Sequence, residues 1–163
     1  MKQFRYIIFG LVLLFLQVFL VDNLHIGGFC HPYIYILILL NLPIPIARYK
    51  EILVAALIGL LIDIFSNSLG VHMFACATMS FVRATLLRNI SDIDRINGEV
   101  NGIVLGKIEY LQLSTILVFV HHTLVFLLEA FSFQHFAYTL LEIIISGLVT
   151  LLFVVGVDFL KRK

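Results

Sequence analysis

Six stretches of this chain are apolar over lengths that approach or exceed the width of a lipid bilayer, and little sequence separates them: roughly 6–24, 32–47, 52–67, 71–88, 111–131 and 137–160. A helix rises 1.5 Å per residue, so about 20 residues cross the ~30 Å hydrocarbon layer. Six crossings use about 120 of the 163 residues. The expectation is one integral membrane domain over 1–163, with little left for a soluble one. Composition agrees, with 61% hydrophobic and 13% charged residues, against about 45–50% and about 25% in soluble domains. The expected fold is an all-α membrane protein, a six-transmembrane-helix bundle with the lipid bilayer as its first partner.

Positive residues accumulate on the cytoplasmic side of a membrane protein. With the N-terminus inside, Lys2, Arg5, Arg48, Lys50, Arg88, Arg95, Lys107, Lys161, Arg162 and Lys163 all fall in cytoplasmic segments. Arg83 lies near the inner end of the fourth span and can snorkel. An odd number of spans would put the terminal KRK outside, so six spans with both ends cytoplasmic fit every charge. The first apolar run follows Lys2 and Arg5 as in a signal peptide, but Asp22, Asn23 and Leu24 stand where a small-residue cleavage site is required, so it is read as a retained span.

Local punctuation adds detail. Pro43 and Pro45 in NLPIPIARYKE should unwind or kink the end of the second span, because proline lacks a backbone donor and clashes with the preceding turn. The third and fourth spans are joined only by SNSLG and must be antiparallel neighbours. The cytoplasmic loop 89–110 is the one sizeable polar stretch. Its Ile90, Ile93, Ile96, Val100, Ile103 and Val104 recur at helical spacing, and Ser91 with Asp94 resembles a capping box. Gly98, Gly102 and Gly106 weaken a helix there. The alternatives are a frayed loop and an amphipathic helix lying in the inner interface or docked on a partner.

Several function classes lack their signals. A net charge of +1 without a basic, aromatic-interleaved cluster excludes the usual nucleic-acid footprint. There is no HExxH, GxSxG, P-loop or Rossmann fingerprint, so no enzyme and no cofactor is expected. Cys30 and Cys76 fit neither a CxxC nor a zinc pattern and are read as apolar filler.

Ionisable residues inside spans are costly, about 2.5–3.5 kcal/mol for a central charge on insertion scales. Asp63 is five residues before the turn at Ser68, about 7 Å below it. His72 falls at the same depth on the returning helix, so Asp63 is expected to pair with His72. Arg83 is about 15 Å deeper and level with Leu53, so Glu51 is its expected partner. Asp63 either ties down its own turn, through Ser66, Asn67 or Gly70, or organises a buried contact or outward pocket. Gly59, one turn earlier, permits close helix packing on that face.

Asp22, Glu129 and Glu142, with His25, His31, His72 and His135, gather at the outer level without metal-ligand spacing, so no metal is expected. His121 and His122 stand near mid-membrane, read as buried neutral histidines bonded to a neighbouring helix, with a proton relay as the alternative. Glu129, two turns beyond His122, extends a polar stripe on the fifth span.

Two stretches carry a family resemblance. GLLIDIFSNSLGVHMFACATMSFVR, with Gly59, Asp63 and Gly70 around a short turn, resembles the third and fourth spans of MreD, the small integral membrane protein of the bacterial rod-shape system. HHTLVFLLEAFSF, from His121, is similar to the fifth span of MreD proteins from Bacteroidota. The resemblance implies a multi-pass bacterial inner-membrane protein, a non-enzymatic scaffold subunit of the cell-shape (elongasome) machinery that directs peptidoglycan synthesis. It implies an MreC-like partner and, through it, MreB, RodA and the elongation transpeptidase. It also implies a fold similar to the substrate-binding components of energy-coupling-factor transporters, whose alternative function is binding a vitamin-like small molecule. Gly59, Asp63 and Gly70 match the family pattern; His72, Arg83, Glu51, His121, His122, Glu129 and Glu142 are structural or partner-contact candidates from depth and packing.

Overall fold

The computed structural model describes residues 2–23, 28–44, 46–90, 98–101, 103–131 and 135–161. Helix dominates. α1 runs Lys2–Leu16 and passes into a π-helical turn, Gln17–Val21; α2 is Ile36–Leu40; α3 is Arg48–Ser66; α4 is Val71–Ile90; α5 is Lys107–Ala130; α6 is Phe136–Lys161. Two of these, α5 and α6, are long and apolar enough to cross a membrane by length and composition. α3 and α4 have comparable lengths but carry buried Glu51, Asp63 and Arg83.

Helices α3, α4, α5 and α6 pack in chain order, each on the next, and α2 lies against α4 and α5. The core between them contains Leu37, Leu40, Ile62, Met79, Leu113 and Leu117, all almost fully buried. Gly59 sets the α3–α4 spacing: a Cβ there would overlap the His72 carbonyl oxygen and stand 2.6 Å from Met73 Cα. The missing side chain lets the two backbones touch.

The second apolar run departs from expectation. Instead of a helix over 32–47, only Ile36–Leu40 is α-helical. Pro32 opens the segment and Pro43 closes it, and the residue before a proline avoids the helical region. Irregular backbone among apolar helices is tolerated only where its polar groups find protein partners. Here they do. Ile34 N–H donates to Gln17 Oε1 at 2.7 Å, His31 N–H to Ser146 Oγ at 2.9 Å and Tyr33 N–H to Thr150 Oγ1 at 3.0 Å. Gln17 Nε2 donates to the Pro32 carbonyl at 3.2 Å. The π-helical turn that follows α1, through Gln17, and α6, through Ser146 and Thr150, thus hold this segment.

The loop after α4 also differs. Pro43–Ile44 (β1) pairs antiparallel with Gly98–Glu99 (β2), Pro43 opposite Glu99 and Ile44 opposite Gly98. Asn101 then closes a turn, its Oδ1 accepting the Ile103 and Val104 amides at 3.0 Å each. An amphipathic helix across the whole of 89–110 is therefore not formed: Gly98 adopts φ +122°, and the Asn101 side chain competes for the amides a helix would use. The Ser91–Asp94 cap lies outside the described residues, as do Pro45, Arg95 and His25.

Candidate functional site

Three polar centres lie along the bundle. The first is the α3–α4 turn. Asn67, Leu69 and Gly70 all have positive φ, 56°, 47° and 88°, which reverses the chain within a few residues. The first amides of a helix have no partner within it, and Asp63 supplies one from the preceding helix. Its Oδ1 accepts the His72 amide at 2.9 Å and the Ser68 hydroxyl at 2.6 Å, and its Oδ2 accepts the Met73 amide at 2.8 Å. The carboxylate also meets the positive end of the α4 dipole. The expected Asp63–His72 contact therefore runs through the His72 backbone rather than its imidazole. Within the turn it is Ser68, rather than Ser66, Asn67 or Gly70, that bonds the carboxylate, and the other two bonds reach forward onto α4.

The second centre is Arg83, fully buried, which bonds Glu51 as helical depth suggests: Nη1 donates to Oε1 at 2.7 Å. Two further bonds went unforeseen. Nε donates to the Leu40 carbonyl at 3.2 Å and Nη2 to the Leu42 carbonyl at 2.7 Å, so the guanidinium caps the frayed end of α2 where Pro43 stops it. Tyr110 Oη adds a bond to Asn41 Oδ1 at 3.0 Å in the same place.

The third centre joins the histidines. His121 and His122 project from α5 in different directions, as adjacent helical residues must. His122 Nδ1 donates to the Val118 carbonyl at 2.8 Å, which leaves Nε2 to accept from the Thr150 hydroxyl at 3.2 Å. Since Thr150 also receives the Tyr33 amide, His122 helps hold the irregular segment in place.

His121 Nε2 lies 2.7 Å from Tyr35 Oη, which lies 2.9 Å from His72 Nδ1. One phenolic proton serves two imidazoles, so Tyr35 donates to one and accepts from the other. The tautomers of His72 and His121 are thereby coupled. Cys76 Sγ stands 3.8 Å from Tyr35 Oη and 3.7 Å from His121 Nε2, a weak polar neighbour rather than filler. Tyr33 packs against all three imidazoles, with ring centroids 5.1 Å from His72, 5.5 Å from His121 and 5.1 Å from His122. His121 Nδ1 is buried without a partner.

Above this cluster a cleft of about 640 Å³ opens at the end of the bundle that carries the α3–α4 turn. Asp22, Glu129 and Glu142 rim it, and Tyr33, Phe126 and His72 are among its walls. Asp22 is engaged, accepting from Gln17 Nε2 at 2.6 Å and from Ser66 Oγ at 3.4 Å. The structure thus brings His72, Glu129 and Glu142 to one cleft, with His121 and His122 beneath it. Arg83 and Glu51 stand apart, and Gly59 and Gly70 shape the α3–α4 hairpin. Both cysteines are free. Burial raises the Cys30 thiol pKa, with Ser146 opposing, so Cys30 is a poor nucleophile. Among the described residues no three His, Cys, Asp or Glu side chains converge as a metal-ligand set.

Tyr33, Tyr35 and Gln17 were missed from sequence. A signal was present in HPYIYI: two tyrosines, whose hydroxyls need partners when buried, directly after a proline inside an apolar run. Compared with known proteins, the chain matches no family model, no curated protein and no solved structure.

Proposed function

We propose that this chain is a six-span membrane protein of the MreD type, acting as a non-enzymatic scaffold subunit in a bacterial inner membrane. An inverted distribution of polarity supports the membrane reading. Leu11, Phe15, Leu53, Leu57 and Leu152 are exposed on the outside of the helices, while Gln17, Glu51, Arg83, His121 and His122 are buried. Water would reverse that order and lipid requires it. Arg48 and Lys107 start α3 and α5 near the Arg83 end, whereas Asp22, Glu129 and Glu142 gather at the other, as the positive-inside rule asks.

The observation that carries the scaffold reading is the use to which the buried charges are put. Asp63 is spent on the amides of α4, and Arg83 on Glu51 and the carbonyls of α2. These bonds stiffen the bundle, in contrast to the unsatisfied charges that line a transport pathway. On this reading the protein offers MreC, and through it MreB, RodA and the elongation transpeptidase, a rigid membrane surface. Purification from native membranes should recover the chain with other membrane proteins of that machinery. Recovery of the chain alone overturns the proposal.

The cleft favours a second reading, a small-molecule carrier component, because about 640 Å³ falls within the range of ligand pockets. Saturable thermal stabilisation by a vitamin-like compound, with no co-purifying protein, would select it.

A further inference from the structure

We propose that the groove between α1 and α2 holds one acyl chain of an anionic phospholipid, with the lipid phosphate beside Lys161. The inference rests on the membrane reading and is independent of the scaffold role. The recess has a volume of about 250 Å³ and is walled by α1 from Tyr6 to Leu14, by α2 with the residues up to Pro43, and by Ile58 of α3. Tyr6, Ile7 and Leu11 on its wall are exposed, so the groove opens onto whatever surrounds the helices.

Shape and polarity select the guest. Tyr6 and Leu14 stand about 12 Å apart along the helix axis, which gives the recess a section of about 20 Å². A helix, about 10 Å or more across, is too wide, whereas a single hydrocarbon chain fits. An ordered water needs about two to four polar partners, and among the described residues Tyr6 and Asn41 are the only polar side chains on the wall. Left empty, the wall forgoes dispersion contacts that a chain restores.

Charge selects the headgroup. Both polar residues stand at one end of the groove: Tyr6 is in the second turn of α1, and Asn41 caps α2 beside the carbonyls that Arg83 holds. Asn41 Oδ1 accepts from Tyr110 Oη, so the group Asn41 offers a guest is its NH2 donor. With the Tyr6 hydroxyl, that donor suits the ester carbonyls of a glycerolipid. At the same end the Lys161 ammonium lies 4.9 Å from the ring centroid of Phe9, itself a wall residue. An ammonium carries several donors, so a phosphate oxygen can join the contacts that Lys161 already makes. Lys2 and Arg5 in the first turn of α1 add positive charge to that end of the helix. Among the described residues no Asp or Glu lines the groove. A zwitterionic headgroup would bring its own cation among these, and an anionic one would not.

The full chain and its variants would be taken from bilayers of equal dioleoylphosphatidylglycerol and dioleoylphosphatidylcholine into a neutral detergent. Native mass spectrometry then counts the retained lipid, and circular dichroism checks the fold. The native chain should retain phosphatidylglycerol in about five-fold preference, the effect of one cation near about 1 kcal/mol. Lys161→Gln should bring that preference toward parity. Lys50→Gln, whose ammonium lies over Tyr49 at the start of α3, should leave it unchanged. Gly10→Leu and Leu14→Trp, which fill the groove, should lose the retained lipid.

Equal retention of the two lipids by the native chain overturns the proposal. So does the same loss of preference in Lys50→Gln, which would mark a general attraction of the surface, or displacement of the lipid by glycerol phosphate, which has the headgroup without the chains. If the groove variants fail to fold, the two lysine variants still decide. Alkaline carbonate extraction of membranes is scored first: release of the chain overturns the membrane reading and this inference with it, whereas a retained chain without lipid preference overturns this inference alone.

Discussion

Replacing Asp63 by Asn tests how the α3–α4 hairpin is held. The carboxylate accepts three bonds, two of them from α4 amides. Hydrogen bonds to a charged group contribute about 1.5–3 kcal/mol each and neutral ones about 0.5–1.5 kcal/mol. An Asn amide keeps one oxygen, enough for the His72 amide and the Ser68 hydroxyl, but it turns an NH2 group toward the Met73 amide. One charged bond is lost and two are weakened, so Asp63→Asn should destabilise by about 3 kcal/mol. Asp63→Ala removes all three acceptors and should cost about 4 kcal/mol, a modest further loss because the Met73 and Ser68 bonds are only part-buried and water can enter from the cleft. The assay is reversible unfolding by SDS in mixed micelles, followed by far-UV circular dichroism. His72→Gln supplies the decisive cross-check: the imidazole does not bond Asp63, so the double variant should be additive within about 0.5 kcal/mol. An Asn variant as stable as the parent refutes the capping geometry. A coupling above about 1 kcal/mol restores the imidazole pairing.

Three further outcomes follow in the same assay. Arg83→Met should cost about 3–5 kcal/mol by leaving Glu51 buried without its ion partner, and Arg83→Met with Glu51→Leu should recover only part of that, because the Leu40 and Leu42 carbonyls still lack a donor. Tyr35→Phe removes the hydroxyl shared by His72 and His121 and should cost about 1–3 kcal/mol; an unchanged midpoint would show that the two imidazoles do not depend on it. Gly59→Ala should destabilise by about 1–3 kcal/mol through overpacking, whereas Gly156→Ala, with open space around the new Cβ, should be neutral or slightly stabilising from helix propensity; equal effects at both positions would discard the close-approach explanation.

Much of the helical order could be read from the chain. Apolar runs of sufficient length located α3 to α6, and SNSLG located the tightest turn, since helix and turn signals are local. Helical rise alone placed Arg83 level with Glu51, because both sit on regular helices joined by one short turn. The same reasoning brought His72 level with Asp63 but chose the wrong atoms. Depth along an axis is local, whereas which group of a residue faces its neighbour depends on rotation about that axis and on packing at Gly59. The 98–106 segment misled for a related reason. Its apolar spacing suits a helix, but the backbone of Pro43–Ile44 offers β2 a strand partner from far away in sequence.

The sequence by itself determined that the chain is mostly helical, that its apolar runs need an apolar surrounding, and that its few charges must be paired or placed at the ends. Those are consequences of composition and spacing, which act residue by residue. Only the tertiary structure decided that 31–35 is irregular, held by Gln17, Ser146 and Thr150, and that Tyr35 joins His72 to His121 beneath a cleft. Gln17 and Ser146 are 129 residues apart, and they meet only because the helices that carry them pack around the same backbone. No local signal encodes a hydrogen bond whose partners are brought together by the fold.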